Sequence, residues 1–296
     1  MKILVDFSQL IISSVAVHAD ELKGGDAKDF IRHITLNQLL ALKKRFSGQL
    51  ILCCDSRWYW RKDEFPAYKG HRKHRKDTGF LDWKMVYECI NDIKAEMKES
   101  FPYTLLEVEG AEADDIIATL IKYFDTNDLV INGLIEESEK IIIASTDGDF
   151  AQLLKYKNVQ QWNNVKKSMV NCINPNHYLI EHICSGDDGD NVPNIMTGDW
   201  WAIDRANNVK TRANAFKKSR MLSFLSLGYG ACANEEEQRN YKRNEKLIDL
   251  SLIPQKISDK ILKEYIDYKI CGNKQTVFNY LNAHRMKLLM ASSQDF

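Results

Sequence analysis

The stretch Ile141-Ile142-Ile143-Ala144-Ser145-Thr146-Asp147-Gly148-Asp149 decides the fold. A short apolar run that stops at a carboxylate reads as a strand delivering an acid to one end of a sheet. Three other segments have similar form: residues 3–5 end at Asp6, 50–54 end at Asp55, and 103–108 lead into Gly110. Between them, residues 28–46, 82–99 and 112–124 repeat apolar positions every three or four residues, the period of an amphipathic helix. Strands alternating with helices of that length predict an α/β fold with a mostly parallel central sheet flanked by helices. From about residue 175 the pattern is helical only, with helices expected at 176–184, 213–226, 234–248, 258–270 and 274–282, punctuated by Pro254 and Gly272. The expected division is an α/β domain over residues 1–185 and a helical domain over 186–296. Residues 127–138 read as a polar insertion.

Composition narrows the class. The chain has 296 residues, is 44% hydrophobic and holds only 14 Gly and 5 Pro, which excludes a disordered or collagen-like polymer. Its seven cysteines are odd in number and form no C-x-x-C pair, which argues against a disulfide framework and for a reducing compartment. Asp6 interrupts the apolar N-terminal run and argues against a secretory signal. No uncharged apolar window of about 18 residues offers a membrane span, so a soluble cytoplasmic protein is expected. The 41 Lys and Arg balance 41 Asp and Glu, but the charges are segregated. Residues 57–76 carry eight Lys and Arg against Asp63 and Glu64, leaving the remainder net acidic.

In parallel α/β sheets the ligand crevice lies at the C-terminal ends of the strands. Asp6, Asp55 and Asp147 sit there, Glu112, Asp114 and Asp115 open the helix after another strand, and the loop 186–191 adds Asp187, Asp188 and Asp190. Taken singly, each acid has an ordinary role as a helix cap or dipole partner. Together on one edge they would repel strongly unless cations intervene. A donor set of oxygens alone suits hard ions such as Mg²⁺ or Mn²⁺. Two such ions about 3.5 to 4 Å apart activate a water and stabilise a leaving oxygen, which points to metal-assisted phosphoryl hydrolysis. Cys172, His177, His182 and Cys184 match no structural zinc spacing and read as parts of a strand and an amphipathic helix. A phosphatase of the haloacid dehalogenase type is a rival, because Asp147-Gly148-Asp149 imitates its D-x-D element, although that element normally follows a first strand. A non-catalytic binder of flap or forked DNA is a second rival.

The basic segment, RWYWRKDEFPAYKGHRKHRK over residues 57–76, interleaves Trp58, Tyr59, Trp60, Phe65 and Tyr68 with cations. That mixture suggests stacking and phosphate contacts to single-stranded nucleic acid, with Lys69 and Arg72 nearest the scissile phosphate. So charged a segment is also a candidate for disorder. A second basic stretch, residues 205–220, suggests contact with a duplex backbone. The terminal residues 292–296 read as a frayed end.

Ile3-Leu4-Val5-Asp6-Phe7-Ser8-Gln9, Cys53-Cys54-Asp55, Tyr59-Trp60-Arg61, Ala67-Tyr68-Lys69-Gly70-His71-Arg72, Glu112-Ala113-Asp114-Asp115, Ser145-Thr146-Asp147-Gly148-Asp149-Phe150 and Gly186-Asp187-Asp188-Gly189-Asp190-Asn191 occur in that order. In order and spacing they resemble the 5′ nuclease superfamily, with its PIN-like fold, which includes flap endonucleases and phage 5′ to 3′ exonucleases. Asn240-Tyr241-Lys242-Arg243-Asn244-Glu245-Lys246-Leu247-Ile248-Asp249 is similar to the C-terminal part of the members found in T-even-like phages. The resemblance implies a first metal site of Asp6, Asp55, Asp114 and Asp147, helped by Glu112 and Asp115. It implies a second of Asp149, Asp187 and Asp190, with Mg²⁺ in both and Mn²⁺ able to substitute. Lys69 and Arg72 would lie on a basic helical arch, about 57–80, under which a 5′ end passes.

The implied activity is 5′ to 3′ exonuclease and flap endonuclease cleavage with ribonuclease H activity, removing RNA primers from lagging-strand fragments in an infected bacterium. The implied partners are RNA/DNA hybrid and 5′-flap or forked duplex DNA, with a phage single-stranded-DNA-binding protein and a sliding clamp as further candidates, for a monomer away from membranes. One departure stands out: the family's glycine-rich G-I-G-x-K turn is replaced over residues 192–204 by a segment with only Gly198. The chain also begins directly at its first expected strand, leaving no N-terminal tail there for clamp docking.

Overall fold

The computed structural model describes residues 1–18, 27–77, 82–126, 130–131, 134–135 and 139–296. In chain order the elements of the first half are β1 (Lys2–Asp6), α1 (Phe7–Val17), α2 (Ala27–Phe46), β2 (Gln49–Cys54), α3 (Arg61–Glu64), α4 (Arg72–Asp77), α5 (Trp83–Ser100), β3 (Thr104–Glu107) and α6 (Ala113–Thr126). They continue with β4 (Val130–Ile131), β5 (Leu134–Ile135), β6 (Ile141–Ala144), a 3-10 helix (Asp149–Lys155), β7 (Val159–Asn163) and β8 (Ser168–Met169). The rest is helical: α7 (Pro175–Ser185), α8 (Trp200–Ala206), α9 (Lys218–Leu227), a 3-10 turn (Gly228–Ala231), α10 (Glu235–Ile248), α11 (Gln255–Asp267), α12 (Lys274–Ala283) and α13 (Lys287–Met290).

Six strands form one sheet in the order β3-β2-β1-β6-β7-β8, with β4 and β5 paired separately. All neighbours in the large sheet are parallel except β7 and β8. The α/β expectation therefore holds. The chain builds outward from β1 in one direction through β2 and β3, then returns to add β6 on the other side of β1. That reversal is a topological switch point, where a crevice opens beyond the strand ends. Val5 pairs with Leu52 on one side and Ala144 on the other, so Asp6 emerges at the switch.

Alternation along the strands divides the core into two layers. Ile3, Val5, Leu50, Leu52 and Ile142 face α1, α2, α5 and α12, whereas Leu4, Ile51, Cys53, Ile141 and Ile143 face α6 and α11. Burial of each such Ile or Leu contributes about 1.5–3 kcal/mol, so the strand ends are set by a stiff frame. A third cluster joins Phe65 and Tyr68 of the basic segment to α7, α8, α9 and α10. None of the described helices is long and apolar enough to cross a membrane. All seven cysteines are free.

Several sequence expectations need correction. Helix α1 is hidden in the sequence by a continuous apolar run, but Asp6 caps it by accepting a hydrogen bond from the Gln9 amide at 3.3 Å. Strand β7 has no apolar alternation, because its buried Gln161 spends its amide on the carbonyls of Ser145 and Asp147 at 3.2 and 2.6 Å. The helix expected over 213–226 begins at Lys218. Asn214 is held out of it, its backbone donating to Thr197 at 2.9 Å and its amide to the Met196 carbonyl at 2.6 Å. The helix expected over 258–270 starts earlier, at Gln255 behind Pro254.

The C-terminus is anchored rather than frayed. Phe296 is buried with its ring 5.5 Å from that of Phe101, and Lys44 holds Asp295 at 2.9 Å. Residues 57–77 are not a disordered run but two short helices and their turns, while 78–80 lie outside the described residues. The polar insertion expected over 127–138 also lies outside them, apart from the β4–β5 pair.

Candidate metal and nucleic-acid site

The switch point gathers four carboxylates from four stretches of chain. Asp6 ends β1 and is buried, and its Oδ2 accepts from the Ser145 hydroxyl at 3.1 Å. Asp55 follows β2, and its Oδ1 accepts the backbone N–H of Ala113 at 2.9 Å, tying the strand end to the start of α6. Asp114 lies in the first turn of α6, where the helix dipole favours an anion. Asp147 follows β6, its N–H donating to Ser145 Oγ at 3.0 Å while its Oδ1 accepts from the Asp149 N–H at 3.0 Å. The Gln9 side chain bridges to Thr146, pinning the loop after β6 to α1.

Burial and like charge together raise three of these acids. Burial, then the charges of Asp55 and Asp147, push the Asp6 carboxyl up to about 8. Burial, then Asp147 and Asp6, push Asp114 well above the usual carboxylate range. Partial desolvation and the Asp149 charge push Asp147 up to about 6. A frame that forces like charges together is what a divalent cation relieves, and oxygen donors are the chemistry such an ion takes.

A second group lies beside them. Asp149, Asp187 and His182 each offer a donor atom, all within 4.8 Å of one another. His182 Nε2 stands 2.9 Å from Asp149 Oδ1 and 3.5 Å from Asp187 Oδ2. Burial notwithstanding, the two carboxylates push His182 up to about 10, and His182 with the backbone amides of Asp190 and Gly189 holds Asp187 below its ordinary value. The loop carrying Asp187 turns at Gly186, whose φ of +70° and contact with Pro193 leave no room for a Cβ. Sequence reasoning assigned His182 to an amphipathic helix and missed it as a site residue. Its partner Asp149 is 33 positions away, and only the packing of α7 on the 3-10 helix brings them together.

Glu112, Asp115 and Asp190 are compensated by cations. Arg61 is buried, its Nη1 donating to Glu112 at 2.8 Å and to Asp115 Oδ2 at 3.0 Å, with Nη2 2.9 Å from Asp115 Oδ1 as an ion pair. Trp60 Nε1 and the Glu112 N–H also donate to Asp115, at 3.1 and 2.9 Å. Lys69 Nζ lies 2.5 Å from Glu112 and 3.4 Å from Asp190, and Arg72 reaches Asp190 at 2.6 Å. Tyr68 donates its hydroxyl to Asp190 at 2.5 Å. Against burial, Lys69 and Arg61 hold Glu112 below its ordinary value, while burial outweighs the cations around Asp190 and raises it.

Two loops are thereby locked. Lys69, in the left-handed region at φ 54°, donates its N–H to the Asp190 carbonyl at 2.8 Å, and Asn191 donates its amide to the carbonyls of Ala67 and Ala202, each at 2.8 Å. Strain of this kind is retained where surrounding contacts fix it.

The aromatics of the basic segment differ from the expectation of a stacking platform. Trp60, Phe65 and Tyr68 are buried, and Trp58 alone is exposed, because Arg61 draws the segment inward. Gly110, at φ +92°, accepts the Trp60 N–H at 3.0 Å and makes room for the Trp58 ring. What remains open is a recess of about 510 Å³ between Asp55, Arg57, Lys62, Lys69, Arg72 and Lys73. In the second basic stretch, Arg205 pairs with Asp188 at 2.8 Å and Arg220 with Glu237 at 2.8 Å, leaving Lys210, Arg212, Lys217 and Lys218 exposed.

Residues 3–181 match the family model of the 5′-3′ exonuclease N-terminal resolvase-like domain. The chain belongs to the 5′-3′ exonuclease family. It is accordingly a phosphodiester-cleaving enzyme, and residues 174–296 of this 5′-3′ exonuclease match the model for the C-terminal part of T4 RNase H. Ribonuclease H of Enterobacteria phage T4 is 30% identical over 299 residues, spanning 96% of this chain and 92% of that protein. Flap endonuclease Xni of Shewanella denitrificans is 30% identical over 166 residues, 53% of this chain and 58% of its own.

Among solved structures, the bacteriophage T5 D15 protein co-crystallised with metal ions superposes with a TM-score of 0.59 at 19% identity, covering 90% of this chain and 98% of that one. The T5 D15 flap endonuclease in a pseudo-enzyme-product complex with DNA and metal ions gives 0.60 at 19% identity over the same shares. These last two establish that the fold is shared.

Proposed function

We propose that this 5′-3′ exonuclease is a divalent-cation-dependent flap endonuclease and 5′ to 3′ exonuclease with ribonuclease H activity. On this reading it acts on RNA/DNA hybrid and on 5′-flap or forked DNA, and removes RNA primers from lagging-strand fragments in the cytoplasm of an infected bacterium. The observation that carries the reading is the meeting of Asp6, Asp55, Asp114 and Asp147 at an edge bordered by the cationic recess, with burial and their like charges pushing Asp6, Asp114 and Asp147 toward protonation. The relatives named ribonuclease H and flap endonuclease support it.

We assign a first Mg²⁺ to Asp6, Asp55, Asp114 and Asp147, and a second divalent cation, Mg²⁺ or Mn²⁺, to Asp149 and Asp187, with Asp190 at its border. Bound there, divalent cations polarise phosphoryl oxygens and lower the pKa of an attacking water. Glu112 and Asp115 act through the cations they hold: Arg61 fixes the segment, and Lys69 is presented to the recess. Lys69 and Arg72 stabilise charge developing on the scissile phosphate by exchanging a carboxylate partner for a phosphate oxygen. Residues 1–185 carry the first cation site and Asp149, while residues 186–296 complete the second site with Asp187 and hold duplex backbone with the exposed Lys210, Arg212, Lys217 and Lys218.

The test is product analysis on a 5′-labelled forked substrate and a 5′-labelled RNA/DNA hybrid, with and without Mg²⁺. Short 5′ products that appear only with the cation are expected, and Asp149→Asn or Asp190→Asn should remove them while substrate binding survives. Full turnover in EDTA, or in either variant, would refute the assignment.

A further inference from the structure

The second group of donors is not built from oxygen alone. His182 Nε2 is 2.9 Å from Asp149 Oδ1 and 3.5 Å from Asp187 Oδ2. Ligand atoms about 2.1 Å from one ion stand about 3.0 Å apart at a right angle and about 3.4 Å apart at a tetrahedral angle. The imidazole nitrogen is therefore spaced from each carboxylate oxygen as two ligands of a single cation are, and all three atoms lie within 4.8 Å of one another.

Asp187 and His182 are held from behind. Asp187 accepts the Asp190 N–H on Oδ1 at 3.0 Å, which leaves Oδ2 turned to the imidazole. The imidazole is stacked on Tyr178, with ring centroids 5.8 Å apart at 20°. The Tyr178 hydroxyl occupies the space a Cβ on Gly148 would fill, so the turn Asp147-Gly148-Asp149 admits the ring that orients His182. Such outer contacts fix the orientation of first-sphere ligands.

We infer that His182, Asp149 and Asp187 form a mixed nitrogen and oxygen site that takes a transition-metal divalent ion such as Mn²⁺ or Co²⁺ in preference to Mg²⁺. Imidazole suits borderline transition ions, whereas Mg²⁺ takes oxygen and keeps its waters. The four-carboxylate cluster around Asp6 holds only oxygens, so the two centres differ in ion preference within one molecule. This rests on the nuclease reading only for the purpose of the second ion.

The experiment uses the full chain stripped of metal with EDTA and then titrated with Mn²⁺ or Mg²⁺. Bound Mn²⁺ is counted by electron paramagnetic resonance, and electron spin echo envelope modulation reads nitrogen coupling. The expected result is a directly coordinated ¹⁴N signal in the unmodified protein that disappears in His182→Gln. In that variant Mn²⁺ affinity at one site should fall at least about 10-fold, with Mg²⁺ affinity changed less than about 2-fold.

Absence of the ¹⁴N signal in the unmodified protein at saturating Mn²⁺ overturns the inference whether or not the variant folds, and shows His182 to be an ion-pair partner only. If Mg²⁺-dependent cleavage of the forked substrate persists alongside that absence, the nuclease reading stands without it. A ¹⁴N signal in a protein that cuts nothing with either ion supports the site and sinks the nuclease reading.

Discussion

Two acidic regions lie side by side at the end of one sheet, and they treat charge in opposite ways. Around Arg61, every carboxylate has a cation: Glu112 meets Arg61 and Lys69, Asp115 meets Arg61, and Asp190 meets Lys69 and Arg72. Around Asp6, the charges that weigh most on Asp6, Asp114 and Asp147 are those of other carboxylates. Both regions are set in the same rigid frame, so the difference is not one of burial. A compensated acid holds the chain in place, and removing its partner strands a buried charge. An uncompensated cluster costs stability in the free protein and is explained by an ion that arrives from outside. Acidic residues that look alike in the sequence thus fall into two kinds, told apart by whether the fold supplies a cation.

That contrast can be broken or sharpened by experiment. The largest expected effect is on chemistry. Asp147→Asn should slow cleavage of a flap substrate about 10³-fold or more while leaving its binding within a few-fold, checked by single-turnover rates beside equilibrium binding. A similar loss of binding would move Asp147 from the uncompensated kind to the structural kind.

Arg61→Ala should do the reverse. It leaves Glu112 and Asp115 buried without their guanidinium, so stability should drop by about 3 kcal/mol or more in urea unfolding. Undiminished stability would show that the pairing is incidental.

The third effect concerns pH without metal. The Asp6 carboxyl rises from 3.8 to about 8, so the folded state binds that proton more tightly than the unfolded chain does. The resulting stability is complete below about 4 and is lost as pH rises through about 8. Between pH 5 and pH 8.5 the metal-free protein should lose about 4 kcal/mol. Asp6→Asn should flatten that slope, and added divalent cation should restore more stability at the higher pH. A flat stability profile in metal-free protein would mean the acids are not forced together.

The smallest effect is a control outside both regions. Phe296→Ser should cost about 2 kcal/mol through lost burial against Phe101, and should leave the pH slope and the metal response unchanged.

Much of this was legible from residue order. The short apolar runs ending at Asp6, Asp55 and Asp147 marked parallel strands, because a doubly covered strand needs little besides β-branched and aliphatic residues. Helices at 82–99, 112–124 and 234–248 were legible because each has one apolar face, and their observed bounds lie within two residues. Strand β7 was not, since its buried amide Gln161 is satisfied by carbonyls of the neighbouring loop rather than by apolar packing. The aromatic run Trp58-Tyr59-Trp60 was misjudged for a related reason. Composition shows rings beside cations, but whether a ring is spare or buried depends on what lies under it, and Glu112 and Asp115 are more than fifty positions away. His182 was invisible for the same cause.

The sequence by itself determined the layered fold and the edge at which the acids collect, because period and strand ends are local properties that no distant contact has to supply. Which acids would be paired was decided only by tertiary structure. Arg61, Lys69 and His182 each choose a partner across 33 or more positions of chain, and charge compensation is a property of distances in space.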